Sequence, residues 1–355
     1  MRVIALIVRA GAVVVVAGFL FSLVIDDDGD DGVVAARSQP APVETTPPPK
    51  PTPEPTAPPG VVTIAATGDI RMGQAPNGAR SLFSDVQADL AGDVVLGNLE
   101  GTLSSAGTPP AGAARLLDAG FTVMNLANDR TYESGTNGLQ QTIAALDTVG
   151  LLHTGRPGQV TIQRVGQIRV ALVGFSSYPW TAPVTDLPRA KRLIRSAARR
   201  ADVVIVSMHA GAEGADHQHV RAGTERFRGQ NRGDVVRFSH AAVDAGADLV
   251  VGHGPRVLRG MEWYRGRLIA YSLGSLAAVG ARSSAGPLAT GAILRVILSG
   301  DGTFETGRLV PTKLLGSGAP ALDRTEAAHG VVRDLSREDF GARGVNVTPD
   351  GILTR

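Results

Sequence analysis

The sequence predicts an α/β domain in which parallel strands deliver polar residues to one edge of a sheet. Three observations support this prediction. Five short apolar runs have the length of buried strands. Each run ends in Asp, Asn, Glu or His. Stretches with helical spacing separate several of the runs, as in layered α/β proteins, whose sites lie beyond the carboxyl ends of the strands.

The chain begins with a segment that predicts export. Residues 1–25 contain Arg2 and Arg9, are mostly apolar, and are followed by an acidic block at residues 26–31. An apolar segment of about 23 residues is long enough for a transmembrane helix. Basic residues before such a helix place the N-terminus in the cytoplasm and the rest of the chain outside. We therefore expect a single-pass protein of the cell membrane; a cleaved signal peptide and a secreted protein are the alternative.

A linker and one folded domain follow this segment. Residues 26–60 are acidic and then rich in Pro. Such a sequence forms an extended spacer with roughly 70 Å of reach, although a binding segment for another domain is an alternative. We expect the folded domain over residues 61–318 and a tail over residues 319–355.

The first half of the domain alternates strands with helices. Glycine marks several ends, as at Gly120 and Gly150, because helices commonly stop there. The predicted elements are a strand over 61–68 before Asp69, a helix over 82–90, a strand over 93–97 before Asn98 and Glu100, a helix over 113–119, a strand over 121–127 before Asn128 and Asp129, and an amphipathic helix over 138–149.

The second half begins and ends with a hairpin. Turn residues at Gly166-Gln167 and at Gly300-Asp301-Gly302 separate paired apolar runs. The predicted elements are a hairpin of 160–165 with 168–175, helices over 187–200 and 233–245, strands over 202–208 and 249–251 before His209 and His253, and a hairpin of 289–298 with 303–315. In the tail we expect a short amphipathic piece over 325–335 and little further order.

Composition excludes several classes of function. The 355 residues carry a net charge of +2, and the basic residues are spread along the chain and matched by acids, which argues against a nucleic-acid partner. Cysteine is absent, which excludes disulfides, thiolate metal ligands and cysteine nucleophiles. The serines Ser207 and Ser272 lie outside any Gly-x-Ser-x-Gly motif, so acyl transfer through a serine is a weak alternative.

The residues at the strand ends are typical of a divalent-metal site. Asp, Asn, Glu and His are oxygen and nitrogen ligands, and two metal ions that share such ligands can activate water and hold an oxyanion. Each residue alone has an ordinary structural interpretation, as a turn former or a hydrogen-bonded core histidine. Their joint occurrence favours a shared site, whose predicted metal ligands are Asp69, Asn98, Glu100, Asn128, His209 and His253.

The motifs also resemble a known family. The segments that carry the resemblance are Gly68-Asp69, Gly97-Asn-Leu-Glu100, Asn125-Leu-Ala-Asn128, His209-x-Gly-x-Glu213, the run from Asp244 to His253, and Tyr271-Ser-Leu-Gly274. In this order they resemble the CapA-type capsule-synthesis family, over roughly residues 61–279. The resemblance implies a role in poly-gamma-glutamate production, a membrane synthase partner, and similarity to calcineurin-like metallophosphatases. That similarity implies a four-layer α/β/β/α sandwich and a divalent metal such as Mn, Zn or Fe.

Departures from the family pattern affect the proposed chemistry. Where the family usually has Asn-Asn-His, this chain has Asn128-Asp129-Arg130, and Gly-His-His-Pro-His is replaced by a sequence ending Gly254-Pro255-Arg256. Arginine cannot act as a proton donor near neutral pH. It can hold carboxylates or phosphates, because its planar fork matches both groups. The predicted catalytic or substrate-binding residues are Asp129, Arg130, Glu213 and Arg256.

Two functional hypotheses follow from these residues. The first is a membrane-anchored, extracytoplasmic, metal-dependent hydrolase or transferase acting on an anionic polymer or a phosphorylated envelope substrate. The second is a non-catalytic relative that binds an anionic envelope polymer through Arg130 and Arg256. An apparent insertion at residues 214–229 contains His217 and His219, which are candidates to replace lost ligands; a solvated loop is the alternative.

Overall fold

The computed structural model describes residues 60–73, 82–280 and 285–355. The predicted N-terminal helix and most of the linker lie outside the described residues. The strands are β1 (Val61–Arg71), β2 (Val94–Leu99), β3 (Val123–Asn125), β4 (Leu152–Thr154), β5 (Thr161–Val165), β6 (Ile168–Ser176), β7 (Ala182–Pro183), β8 (Val203–His209), β9 (Glu225–Phe227), β10 (Gln230–Gly233), β11 (Leu249–His253), β12 (Met261–Tyr264), β13 (Arg267–Ala270), β14 (Ser275–Ala278), β15 (Thr290–Ser299), β16 (Phe304–Leu314), β17 (Pro320–Leu322), β18 (Asn346–Val347) and β19 (Leu353–Thr354). The α-helices are α1 (Gly112–Ala119), α2 (Gly135–Thr148), α3 (Leu187–Ala198), α4 (Val235–Asp244) and α5 (Ala327–Phe340).

Two mixed sheets form the centre of the domain. The first has the strand order β17-β16-β15-β1-β2-β3-β4, and β14 pairs with β1. In it β1, β2, β3 and β4 run parallel, whereas β15, β16 and β17 pair antiparallel. The second has the order β12-β13-β11-β8-β6-β5, with β6, β8, β11 and β13 parallel. Each sheet therefore presents one edge of parallel carboxyl ends.

The buried side chains show that the two sheets face each other. One core joins apolar residues of β1 and β2 to residues of β6, β8 and β11, as in the packing of Ile64 and Leu96 with Leu172, Ile205 and Val251. A second core lies between the outer face of the second sheet and helices α3 and α4. A third lies between the outer face of the first sheet and helices α1 and α2. The layers are therefore helix, sheet, sheet and helix, as predicted.

Two sequence predictions about local structure are wrong. The apolar spacing over 82–90 does not form an α-helix; this segment has turns and a short 3-10 helix at Gln87–Asp89. Phe83 and Val86 of this segment are nevertheless buried in the third core. The spacing of the apolar residues therefore indicates burial and not a helix. The tail is ordered beyond residue 335, because α5 extends to Phe340 and places Val332 in the core between the sheets.

The described helices do not include a membrane-crossing one. Across residues 60–73, 82–280 and 285–355, none of the helices is long and apolar enough to span a bilayer.

Candidate metal and anion site

The parallel strand ends place the predicted residues side by side. In the first sheet Asp69 of β1 lies opposite Asn98 of β2, which in turn lies opposite Asn125 of β3. In the second sheet His209 of β8 lies opposite His253 of β11. The edges of the two facing sheets meet here, since Asn98 Nδ2 lies 3.2 Å from His209 Nδ1.

Two glycines allow the loops of the site to approach the strands. A Cβ atom on Gly68 would lie 2.2 Å from the carbonyl oxygen of Gly274, and one on Gly252 would lie 2.1 Å from that of Tyr271. Both distances are far below van der Waals contact, and the opposing atoms are backbone atoms. Only glycine fits at these positions, directly before Asp69 and His253.

Three buried side chains form a candidate metal cluster. Asp69, Glu100 and His209 each offer one ligand atom, and these atoms lie within 4.8 Å of one another. The Nδ1 atom of His209 is 3.6 Å from Glu100 Oε1, and its Nε2 atom is 3.4 Å from Asp129 Oδ1. His253 Nδ1 is 3.7 Å from Asp69 Oδ1. Carboxylates and imidazoles at these separations form a donor set of the kind that binds Mn, Zn or Fe.

A network of three asparagines fixes how Asn98 faces this cluster. The side-chain oxygens of Asn125 and Asn128 both accept backbone N–H groups of their own loop. Their amide nitrogens therefore point to the Asn98 oxygen, at 2.9 and 3.1 Å. The amide nitrogen of Asn98 is left to face Asp69 Oδ1 at 2.8 Å and His209 Nδ1 at 3.2 Å. In this arrangement Asn98 and Asn128 orient their neighbours, and their role as metal ligands stays a prediction.

Arginines line the mouth of the site. A narrow polar pocket is lined by Arg71, Arg130 and Arg256 together with Asp69, Glu100, Asp129 and Glu213. Two of these arginines have loose carboxylate partners, with Arg256 Nη1 at 3.9 Å from Glu213 Oε2 and Arg130 Nη1 at 3.3 Å from Glu133 Oε2. Arg71 forms no ion pair within 4.0 Å among the described residues. The pocket therefore combines acidic groups at its base with guanidinium groups that can bind an anion.

A further arginine lies beneath the pocket. Arg232 is 2% exposed, and its Nη1 donates to the Tyr178 hydroxyl at 2.7 Å. Its Nη2 lies 3.3 Å from His209 Nε2, while its Nε has no hydrogen-bond partner among the described residues. Trp180 stacks on Tyr178 with ring centroids 5.1 Å apart and donates its indole N–H to the Asn128 carbonyl at 3.0 Å. An aromatic wall therefore covers one side of His209.

Burial shifts the ionisation of the cluster toward neutral forms. Burial raises the pKa of Asp69 to about 7, and burial together with the neighbouring Asp69 charge raises the pKa of Glu100 well above its usual range. Burial, and then the Arg232 and Arg130 charges, holds the pKa of His209 well below its usual value. Burial and then His209 lower the pKa of His253 to about 3. Neutral imidazoles are ready to ligate, and buried acids gain most from a bound cation.

One further observation indicates that these residues fit a divalent metal ion. Within the described part of the chain, both ring nitrogens of His253 and the Oδ1 atom of Asp129 are buried without a hydrogen-bond partner. Buried polar atoms are nearly always paired, so such atoms call for a ligand or an ion. A metal held by Asp69, Glu100 and His209 would lie next to these atoms, which are further candidate ligands.

The ten residues predicted from the sequence all lie in or directly beside this site. They are Asp69, Asn98, Glu100, Asn128, Asp129, Arg130, His209, Glu213, His253 and Arg256. The idea that the insertion supplies ligands is wrong: His217 packs against Phe227 at 6.3 Å between ring centroids, and His219 Nδ1 contacts Asp339 at 2.8 Å.

Sequence reasoning missed three contributors. Arg71 lies two residues after Asp69 on the same strand, so the period-two alternation of a strand was an available signal. Arg232 and Tyr178 come from a hairpin and a loop whose placement no pattern in the sequence indicated.

Comparisons with known proteins agree on a family. The family model described as bacterial capsule synthesis protein PGA_cap matches residues 63–278. The "PGA biosynthesis protein CapA" of Bacillus subtilis (strain 168) is 29% identical over 252 residues, which cover 61% of this chain and 63% of that protein. A "probable polyglutamine synthesis accessory protein" of Mycobacterium tuberculosis is 29% identical over 260 residues, covering 59% of this chain and 65% of that protein. The chain thus spans less than two thirds of these relatives.

Solved structures with related folds are more distant. A phosphatase of Mycoplasma pneumoniae superposes with a TM-score of 0.47 and 13% identity, over 71% of this chain and 94% of that protein. A 5'-nucleotidase precursor of Thermus thermophilus superposes with a TM-score of 0.41 and 14% identity, over 79% of this chain and 59% of that protein.

Proposed function

The chain belongs to the bacterial capsule synthesis family PGA_cap, as its motifs predicted, and from that premise we propose that it acts on an anionic polymer of the cell envelope through a metal-dependent site. Its relatives include a PGA biosynthesis protein and a probable polyglutamine synthesis accessory protein. The proposed activity is that of a hydrolase or transferase, with a phosphorylated envelope substrate as the alternative to a polyglutamate-like one.

One observation carries this proposal. A buried cluster of Asp69, Glu100 and His209, with ligand atoms within 4.8 Å of one another, lies at the base of a pocket lined by three arginines. Acids that are costly to ionise when buried would be stabilised by a divalent cation. A substrate anion would be attracted to the arginines at the mouth. Candidate ligands for a metal and a set of arginines for the substrate anion therefore lie in one pocket.

The residues of the chain have distinct roles in this proposal. Asp69, Glu100 and His209 would hold the metal, which when bound would supply Lewis-acid activation of water or of a substrate oxygen. The asparagine network fixes the side chains of Asp69 and His209 through the Asn98 amide. Asp129 offers a buried, unpartnered carboxylate oxygen as a proton acceptor.

The arginines at the pocket mouth would bind and orient the anionic polymer. Arg256, which lines the pocket, has a left-handed backbone with φ of 62°, which is unusual for a residue other than glycine. Its partner Glu213 is 3.9 Å away, so a substrate carboxylate or phosphate can compete for the guanidinium. Bidentate binding of either group matches the arginine fork.

A non-catalytic binder is the second candidate, and one observation favours it. The Asn98 amide nitrogen faces Asp69 and His209, so the Asn98 oxygen does not face the cluster. In that case the pocket would bind polymer through Arg71, Arg130 and Arg256 without turnover. Polymer binding is common to both candidates, whereas metal-dependent turnover belongs only to the first.

Two measurements on the full-length chain test the proposal. Polyglutamate binding to the Arg256→Ala variant should be weaker by about tenfold at low salt, and this difference should shrink as salt screens the charges. Arg226→Ala, which removes an exposed arginine on the β9–β10 hairpin, is the matched control and should bind normally. Manganese-dependent cleavage of phosphoester or gamma-glutamyl substrates should be lost in Asp129→Asn. Equal polymer binding by the two arginine variants would contradict the role of the pocket.

We also propose that the domain is held outside the cytoplasm by the N-terminal segment, with a membrane synthase as its partner. The apolar residues 1–25, the acidic block after them and the Pro-rich linker support this proposal. Membrane fractionation of the full-length chain tests it. N-terminal sequencing of the mature protein distinguishes an anchored chain, which begins near residue 1, from a cleaved and secreted one.

A further inference from the structure

The guanidinium of Arg232 lies where a cation would be expected to bind. It is 2% exposed, and none of the carboxylates of the described residues comes within 4.0 Å of it. Buried arginines are normally paired with acids, because an uncompensated buried charge is costly. The Nη2 atom of Arg232 instead contacts His209 Nε2 at 3.3 Å. The same imidazole nitrogen lies 3.4 Å from Asp129 Oδ1.

The two nitrogens of His209 therefore face different surroundings. On the Nδ1 side lie Glu100 Oε1 at 3.6 Å and the Asn98 amide. On the Nε2 side lie Asp129 Oδ1 and Arg232 Nη2. A divalent ion on the Nε2 side would have to displace the guanidinium or approach it against charge repulsion.

Gly254 provides the space for this guanidinium. A Cβ atom at Gly254 would lie 3.0 Å from Arg232 Nη2 and 3.1 Å from His209 Nε2. The motif resemblance expects a histidine at this position, and a histidine side chain would begin inside that contact distance. A side chain at this position would therefore have to share the space beside His209 Nε2 with the Arg232 guanidinium.

Acidic side chains and arginines around the pocket are also equal in number. The acids that line it are Asp69, Glu100, Asp129 and Glu213. Three arginines line the same pocket, and Arg232 lies beneath it as a fourth cation. Two divalent ions would add four further positive charges to a site in which acids and arginines are equal in number.

We propose that the Arg232 guanidinium is a built-in cation on the Nε2 side of His209, and that the site consequently takes up one divalent metal ion and not two. This inference rests on the proposed function, because it assumes that the cluster of Asp69, Glu100 and His209 binds a metal. It adds the stoichiometry of that metal and a positioning role for Arg232.

The test is the number of metal ions bound by the full-length chain. The purified protein is loaded with excess manganese, desalted and analysed by plasma mass spectrometry, with Arg232→Met, Arg232→Lys and Arg226→Met beside it. We expect one manganese per chain in the wild type, in Arg232→Lys and in the exposed-site control Arg226→Met. We expect Arg232→Met to bind close to two, because removing the guanidinium charge lets a second ion use Asp129 Oδ1 and the ring nitrogens of His253, which have no hydrogen-bond partner among the described residues. Electron paramagnetic resonance should show an isolated Mn(II) ion in the wild type and spin coupling in Arg232→Met.

The outcomes separate this inference from the proposed function. Two coupled manganese ions in the wild type would overturn the inference and leave the metal site in place. One ion in both the wild type and a folded Arg232→Met would also overturn it. If Arg232→Met fails to fold, the stoichiometry and the spectrum of the wild type still show whether the site binds one manganese ion or two. No metal in any variant would refute the proposed metal site itself, and the inference with it.

Discussion

Replacing Asp69 with Asn should stabilise the metal-free protein at neutral and higher pH. Burial raises the pKa of Asp69 from 3.8 to about 7, which is roughly three pKa units and on the order of 4 kcal/mol of cost for the ionised form. Asp69 also accepts hydrogen bonds from the Asn98 amide and from the Gly254 N–H. Asn can accept only one of them, which costs about 1 kcal/mol. The expected net gain for Asp69→Asn is about 3 kcal/mol at about pH 8.

The sign of the pH dependence follows from proton linkage. The folded state holds its proton up to a higher pH than the unfolded state does, so folding takes up a proton between pH 3.8 and about 7. The wild type therefore loses stability as pH rises through this window, and the Asn variant does not. Neighbouring charges have opposite effects on the pKa of Asp69, since Arg256 lowers it and Asp129 raises it. At about pH 5 the advantage of the variant should fall below about 1 kcal/mol.

The assay is thermal unfolding of the full-length chain after treatment with a chelator. The wild type and Asp69→Asn should differ in Tm by roughly 6 °C at about pH 8 and by little at about pH 5, taking about 2 °C per kcal/mol. Asp216→Asn, at an exposed carboxylate, is the control and should show no such dependence. Added manganese should reverse the order, because only the wild type gains binding energy. A variant less stable than the wild type at about pH 8 without metal would refute this reasoning.

Two further predictions concern the scaffold of the site. Gly68→Ala should lower the free energy of unfolding by about 2–4 kcal/mol, because its Cβ would lie 2.2 Å from a backbone carbonyl oxygen, whereas Gly316→Ala, with open space, should change little. Arg259→Met should cost about 3–5 kcal/mol, because it leaves the Glu225 carboxylate, now bound at 2.8 and 2.9 Å, without its cation. Urea unfolding measures both, and equal effects of the two glycine variants or full stability of Arg259→Met would contradict the contacts described.

The strand-end residues could be predicted from the sequence because their positions follow from two simple periodicities. Short apolar runs mark buried parallel strands, and parallel strands end on the same edge. Asp69, Asn98, His209 and His253 were found in this way, since each directly follows or closes such a run. The terminal hairpin of β15 and β16 was equally evident from its alternation and its glycine turn.

The rest of the site depends on contacts between distant segments. Arg232 reaches His209 only because the β9–β10 hairpin folds back on the site and Gly254 leaves space. The orientation of the Asn98 amide depends on backbone groups of another loop, which no local pattern encodes. The sequence predicted helix α5 only as far as residue 335, and its last turn, with Phe340 packed in the second core, depends on contacts with distant segments.

The measurement that tests the central claim most directly is the metal content of the purified full-length chain, with His209→Ala and His253→Ala beside it. We expect near-stoichiometric metal in the wild type and its loss in both variants. His219→Ala, which removes an exposed histidine outside the site, should keep the metal. Absence of metal from the wild type after incubation with manganese, zinc and iron would contradict the account, as would unchanged metal in both site variants.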